Sequence, residues 1–241
     1  MVEIFIFILG AVIGSFLNVV IYRIPLGKNI AFPPSQCPSC KTPLKWRHNI
    51  PIFSWVFLKG KCYFCHAPIS KRYPIVELLG GMLFLIIFFK VGLVWNMAFI
   101  FASFASLLAL SIIDFDHMAV PDSVNIAALL FALVQPDFMH AALHALIAAI
   151  GLYILGLIAS KLAKREAMGS ADVIVAGTMG ALLGFPLFFV ALFLSAILAM
   201  IPALIYSQRG VPFVPFLALG TLIVYIFDTR ADIILTEVLY G

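Results

Sequence analysis

The sequence predicts an all-α fold, a polytopic membrane helix bundle of about eight spans that carries a small zinc-knuckle loop domain on its cytoplasmic side. Three observations lead to it. Of the 241 residues, 64% are hydrophobic and 11% charged, whereas a soluble domain is about half apolar and about a quarter charged. Apolar runs recur at about 17–25 residues, the length that crosses a bilayer as a helix. Nine of the fifteen Lys and Arg residues fall between Arg23 and Arg72, in the only long polar stretch.

The first run, from Val2 to Tyr22, lacks a basic leading segment and an Ala-x-Ala cleavage site, so it reads as a retained helix rather than a signal peptide. A polar module follows at 24–73. The remaining apolar runs lie at 74–90, 94–113, 123–135, 139–160, 171–184, 186–207 and 211–228, and the fourth and sixth spans are short enough to be partly re-entrant. No internal repeat or low-complexity tract is apparent. The organisation is therefore a first transmembrane helix at 1–23, a four-cysteine module at 24–73 and a membrane bundle at 74–241. Helices are expected because backbone exposed to lipid must satisfy its own hydrogen bonds.

Charge orients the spans. With the 24–73 loop in the cytoplasm, alternation leaves thirteen Lys and Arg residues inside, including Lys161, Lys164, Arg165 and Arg209, and only Lys90 and Arg230 outside. That is the asymmetry of the positive-inside rule. Both termini then lie outside. The basic loop reads as a solvated cytoplasmic segment. No helical basic stripe or dedicated motif supports nucleic-acid binding.

All four cysteines lie in the polar loop, as Cys37-Pro-Ser-Cys40 and Cys62-Tyr-Phe-Cys65, with 21 residues between the pairs. Two such knuckles suit a tetrahedral zinc site with four thiolate ligands. Structural disulfides do not persist in a reducing cytoplasm, and a metal would supply the core that so short a module lacks. A redox dithiol pair and free thiols are the alternatives. His66 directly follows the last cysteine and reads as a solvated loop residue.

Four of the eleven acidic residues gather at two places, Asp114, Asp116 and Asp122 at the first and Asp172 at the second. Ionisable groups in membrane helices are costly and point to function. Asp114 ends one apolar run and Asp172 begins another, so both stand at the same membrane boundary. Two carboxylates in one site share a proton; one then takes a proton from water while the other polarises a carbonyl. Proton coupling in a transporter and purely structural roles are the competing uses of such a pair. Asp122, after Pro121 and before a run, reads as an N-cap as readily as a functional group. Asp116 and His117 read as an exposed turn, where His117 would tune protonation. His140 and His144 read as interfacial.

These residues resemble a known family, the bacterial type IV prepilin peptidases, or prepilin leader peptidase/N-methyltransferases. The motifs that carry the resemblance run in order. They are Gly14-Ser-Phe-Leu-Asn18-Val-Val-Ile-Tyr-Arg23, the two cysteine knuckles, Asn49-Ile-Pro51, Lys71-Arg72-Tyr73-Pro74-Ile-Val-Glu77, and the Asp114 and Asp172 segments. The resemblance implies that Asp114 and Asp172 form the aspartyl catalytic pair. The family's usual Gly-x-Gly-Asp reads Gly169-Ser170-Ala171-Asp172 here. It also implies cleavage of the charged leader of prepilins and pseudopilins at the cytoplasmic face of the inner (plasma) membrane, usually between Gly and Phe. Methylation of the new N-terminus from S-adenosyl-L-methionine is a further implication. Its determinants would lie within 14–77, including Gly60, Arg72 and Glu77. Composition and spacing give no independent sign of methylation. Gly60 also fits an ordinary turn, and Arg72 with Glu77 a surface salt bridge. A proton-coupled membrane transporter and a non-catalytic pilus or secretion assembly scaffold are the other function classes. A transporter would show paired repeats and charges at the membrane midplane.

Overall fold

A computed structural model of the chain describes residues 1–164, 169–205 and 211–228. Arg165, Arg209 and Arg230, which contribute to the charge asymmetry, lie outside the described residues, as does Met168. Among the described residues every regular element is helical, apart from two isolated β-bridges. The chain divides into two units, Met1–Leu93 and Val94–Gly241.

The first unit holds α1 (Val2–Arg23), a 3-10 turn at Trp46–His48, the one-turn helix α2 (Phe53–Phe57) and α3 (Arg72–Val91). Helices α1 and α3 pack along one another. Lipid tails are as apolar as leucine, so packing between spans relies on close backbone approach at small residues. Gly10 and Gly14 supply it on α1, Gly80 and Gly81 on α3. A Cβ added to Gly10 would meet the Gly80 carbonyl at 2.5 Å, one on Gly14 the Glu77 Cα at 2.8 Å, and one on Gly80 the Gly10 carbonyl at 2.7 Å. Each obstacle is backbone and cannot step aside. Gly80→Leu is therefore expected to cost about 1–3 kcal/mol as an overpacked contact. Its thermal midpoint in detergent should fall by several degrees, and a variant that melts with the parent protein would show the close approach to be dispensable.

The second unit holds α4 (Met97–His117), α5 (Asp122–Leu133), α6 (Phe138–Ala163), α7 (Ser170–Leu183), α8 (Leu187–Ile205) and α9 (Val214–Ile226). Helix α4 packs on α5 and α9, and α7 packs on α5, α6 and α9, so α5 and α9 both link α4 to α7. Met118, left-handed at φ 51°, stops α4 by donating its N–H to the Asp114 carbonyl, a common helix C-terminal device.

Eight apolar helices, α1 and α3–α9, stand where hydropathy places spans. Five contain a segment long and apolar enough to cross a membrane, namely α1, α3, α4, α6 and α8. The others, α5, α7 and α9, have 12, 14 and 13 residues. At ~1.5 Å per residue they reach only about 18–21 Å, against a hydrocarbon core of about 30 Å. By length alone, five of the eight expected spans are long enough to cross; α5 and α7 are the fourth and sixth, short as expected, and α9 is shorter than its apolar run because Val211 and Phe213 lie outside the helix.

Candidate active site

Asp114 and Asp172 come from different helices of the second unit. Asp114 lies one turn from the end of α4 and is 6% exposed. Its Oδ2 accepts the Val214 N–H, at the first residue of α9, at 3.3 Å. Asp172 is half-buried in the first turn of α7, and its Oδ2 accepts the Gly169 N–H at 3.2 Å. Each carboxylate thus rests on a backbone N–H at a helix N-terminus, where the helix dipole favours negative charge.

A third link holds this arrangement. Asn125, fully buried on α5, donates from Nδ2 to the carbonyl of Ala171 at 2.9 Å, the residue just before Asp172. Its Oδ1 is buried without a partner among the described residues. No sequence motif marks Asn125. Its residue type is common and its importance lies in a contact 46 positions away. Ala171 itself sits inside the first turn of α7, so the added methyl stands on ordinary helical backbone that needs no glycine.

The neighbouring polar residues separate from the pair. Asp116 and His117 are exposed in the last turn of α4 rather than in a turn beyond it. Asp122 is the first helical residue of α5; the N-cap is Pro121, with no side-chain cap bond, so the capping role does not hold. His140 and His144 face each other with ring centroids 6.4 Å apart on α6.

In the first unit the four cysteines converge, all four sulfurs lying within 4.8 Å of one another. Cys37 Sγ and Cys65 Sγ are 3.8 Å apart, the separation expected for two sulfurs each ~2.3 Å from one tetrahedral ion. The knuckles repeat one local structure. Lys41 donates its N–H to the Cys37 carbonyl and His66 to the Cys62 carbonyl, while Leu44 closes onto Ser35 and Ile69 onto Gly60. Lys41 and His66 are both left-handed, at φ 58° and 56°. The repeated pattern Cys-x-x-Cys-x-x-Pro, ending in Leu44 or Ile69, was present in the sequence; the expectation of no internal repeat is corrected on this point. Cys40 Sγ donates to Thr42 Oγ1 at 3.3 Å. On ionisation the hydroxyl donates instead, which draws the Cys40 thiol down to about 6. The Ala67 N–H pulls Cys65 down, yet desolvation and the neighbouring thiols push it up to about 11. Such a cluster favours a cation that can hold several thiolates together. His66 is exposed and outside the cluster.

Beside the knuckles lies a cavity of ≈ 390 Å³ whose walls include Ser15, Asn18, Asn49, Trp55, Tyr73 and Glu77. The sequence motifs are what build it. Gly14 lets α1 approach the Glu77 backbone. Asn18 Nδ2 donates to the Tyr73 carbonyl at 3.1 Å. Arg23 donates to the carbonyls of Asn29, Ile30 and Pro33 and gathers that loop over the cavity. Glu77 Oε2 accepts the Ile52 N–H at 2.7 Å. Of the three residues expected at a cofactor, Glu77 lines the cavity, while Gly60 and Arg72 are not among its lining residues. Gly60 acts one step back. It is left-handed at φ 69°, and a Cβ there would strike the Trp55 ring at 2.8 Å. His48, which no sequence motif marks, lines the cavity and stacks on Tyr63 of the second knuckle at 4.4 Å; its Nδ1 is buried without a partner among the described residues.

The bacterial peptidase A24 N-terminal domain matches residues 8–91, and the type IV leader peptidase family matches residues 99–204. A prepilin leader peptidase/N-methyltransferase of Myxococcus xanthus is 37% identical over 75% of this chain, which spans 56% of that relative's length. A type 4 prepilin-like proteins leader peptide-processing enzyme of Escherichia coli is 36% identical over 88% of each chain. A prepilin leader peptidase/N-methyltransferase of Stutzerimonas stutzeri is 30% identical over 88% of this chain and 86% of its own. No solved structure matches the chain.

Proposed function

The chain belongs to the type IV leader peptidase family, and from that membership we propose that it cleaves prepilin or pseudopilin leaders with Asp114 and Asp172 and methylates the new N-terminus in the cavity of its first unit. What supports the peptidase reading is two carboxylates on α4 and α7, each held by a backbone N–H at a helix N-terminus, with α5 and α9 packed against both helices. Two such groups cannot both ionise freely, so the pair holds one proton. The ionised carboxylate takes a proton from water as its oxygen attacks the scissile carbonyl carbon, and the protonated one donates to the carbonyl oxygen. Collapse breaks the C–N bond and passes a proton to the leaving amine. The net reaction adds one water, giving a leader carboxylate and a free N-terminal amine.

The cavity fits a small-molecule methyl donor. Its volume falls in the range of about 300–1,000 Å³ usual for ligand pockets. Its lining includes a carboxylate, Glu77, and the aromatic residues Tyr22, Trp55 and Tyr73, and aromatic faces and carboxylates both attract cations. S-adenosyl-L-methionine supplies an electrophilic methyl group on a cationic sulfur when bound. Glu77 and the aromatic walls would hold it, and the Ile52 N–H fixes the Glu77 carboxylate in place. Zinc would be held by Cys37, Cys40, Cys62 and Cys65, and supplies a structural cross-link between the two knuckles. The excess of Lys and Arg on alternate loops supports a location of this module and the aspartyl pair at the cytoplasmic face of the inner (plasma) membrane. Substrates at that face would present a charged leader followed by a hydrophobic helix.

Incubating the purified protein with a prepilin peptide that carries a Gly-Phe leader junction tests the reading. The expected products are the free leader and a peptide beginning at Phe. An intact peptide, with a protein that binds or transports but does not cut, would favour a scaffold or a transporter. The same assay addresses Ala171. Because that residue sits on helical backbone, Ala171→Gly should leave cleavage nearly unchanged, at a stability cost of about 0.5–1 kcal/mol. A large rise in activity would show that the methyl group obstructs the site.

A further inference from the structure

We infer that α2 is an interfacial helix that seats the cysteine module on the anionic surface of the bilayer. One face of α2 carries Phe53, Val56 and Phe57, at spacings of three and four residues that share a helix side. They are 59%, 59% and 80% exposed. The opposite face carries Ser54, Trp55 and, just past the helix end, Leu58, which line the cavity. Exposed apolar faces of this kind mark contact sites rather than solvated surface.

Depth identifies the occupant. Phe53 follows Ile52, whose N–H is bound to the Glu77 carboxylate. Glu77 lies five residues inside α3 from Arg72, about 7.5 Å along the helix axis at ~1.5 Å per residue. The loop therefore folds back from its polar end to the level of the first turns of α3, one of the full-length apolar spans. Interfacial helices bury their apolar face at about 5–10 Å into the headgroup and acyl boundary.

Charge identifies the lipid. No Asp or Glu occurs between Glu3 and Glu77, a stretch that holds nine Lys and Arg residues. Lys59 and Lys61 directly follow α2. The 3-10 turn that packs on α2 presents Trp46, 73% exposed, with the Arg47 guanidinium 5.3 Å from its ring. An aromatic and aliphatic face with Arg47, Lys59 and Lys61 close by in the chain matches an anionic leaflet. Since the inner face of α2 is a wall of the cavity, the bilayer also sets the level at which the cavity opens.

The test is photocrosslinking of the full chain reconstituted in vesicles, with p-benzoylphenylalanine placed at position 57. Position 82, half-exposed in the middle of α3, is the lipid-facing control, and position 39, exposed at the first knuckle, is the solvent-facing control. In vesicles containing phosphatidylglycerol, positions 57 and 82 should both yield lipid adducts and position 39 should not. Each basic residue near an anionic surface contributes about a fivefold preference. In pure phosphatidylcholine, or with Lys59→Gln and Lys61→Gln, the adduct at 57 should therefore fall about fivefold or more while that at 82 persists. Lipid adducts at 82 with none at 57 would overturn the proposal. So would crosslinks from 57 to a second copy of the chain, or an adduct at 57 indifferent to lipid charge.

Discussion

Asp114→Asn and Asp172→Asn should each lower leader cleavage by about 10²–10⁴-fold, the usual contribution of a positioned general acid or base. Asparagine nearly preserves the volume of the side chain and its carbonyl oxygen. The Val214 N–H keeps an acceptor in Asp114→Asn, and the Gly169 N–H keeps one in Asp172→Asn. What is lost is the ability to hold or release a proton, so the pair can no longer offer one acid and one base. Both variants should insert and melt close to the parent protein. Asp116→Asn and Asp122→Asn should be mild by comparison, since the first is exposed and the second makes no side-chain cap bond. Cleavage of a Gly-Phe peptide, read by mass spectrometry, checks all four. Substantial cleavage by Asp172→Asn would remove the aspartyl mechanism.

The aspartates were legible because charge is scarce in this chain, and each stands at the end of an apolar run. Their setting was not. Nothing in the sequence announces that Asn125 ties α5 to Ala171, or that Val214 reaches Asp114 across 100 positions. Both contacts depend on which helices pack together, and local pattern does not encode that. The helices themselves were visible as apolar runs, and so was the shortness of α5 and α7. Only α9 was blurred, because Val211 and Phe213 are apolar yet lie outside the helix. The motifs of the first unit were visible as strings, yet their purpose becomes plain only in the fold. Asn18, Asn49 and Glu77 all border one cavity, Gly14 lets α1 approach the Glu77 backbone, and Gly60 serves the cavity through Trp55. The knuckle repeat is faint in the sequence because its shared frame, two cysteines and a proline, is sparse beside the differing residues between them.

Replacing Cys37 and Cys40 together by Ser should abolish metal binding and reduce methylation strongly while cleavage falls far less. Two of four ligands leave a site that cannot close around a tetrahedral ion, and the loop that depends on the metal for order loosens with it. The cavity is exposed to that loss. Cys37 is one of its wall residues, and His48 connects it to the second knuckle through Tyr63 and Phe64. The aspartyl pair sits in the other unit, whose helices satisfy their own backbone hydrogen bonds. Elemental analysis should find the double variant free of zinc, with cleavage and methyl transfer assayed on the same preparation. Retention of about one zinc per chain would contradict the metal assignment. A parallel loss of both activities would place the module inside the peptidase site.

The central claim is that cutting and methylation occur at two separate sites, one in each unit. It is tested most directly by giving Asp172→Asn a peptide that already begins with free Phe, together with S-adenosyl-L-methionine. The account predicts that this variant, unable to cleave a prepilin, methylates the pre-cut peptide at the parent rate. It predicts the reverse for Glu77→Gln, which should release the leader and leave the new N-terminus unmethylated. Failure of Asp172→Asn to methylate the pre-cut peptide would contradict the account and show that the aspartyl pair and the methyl-transfer site are one.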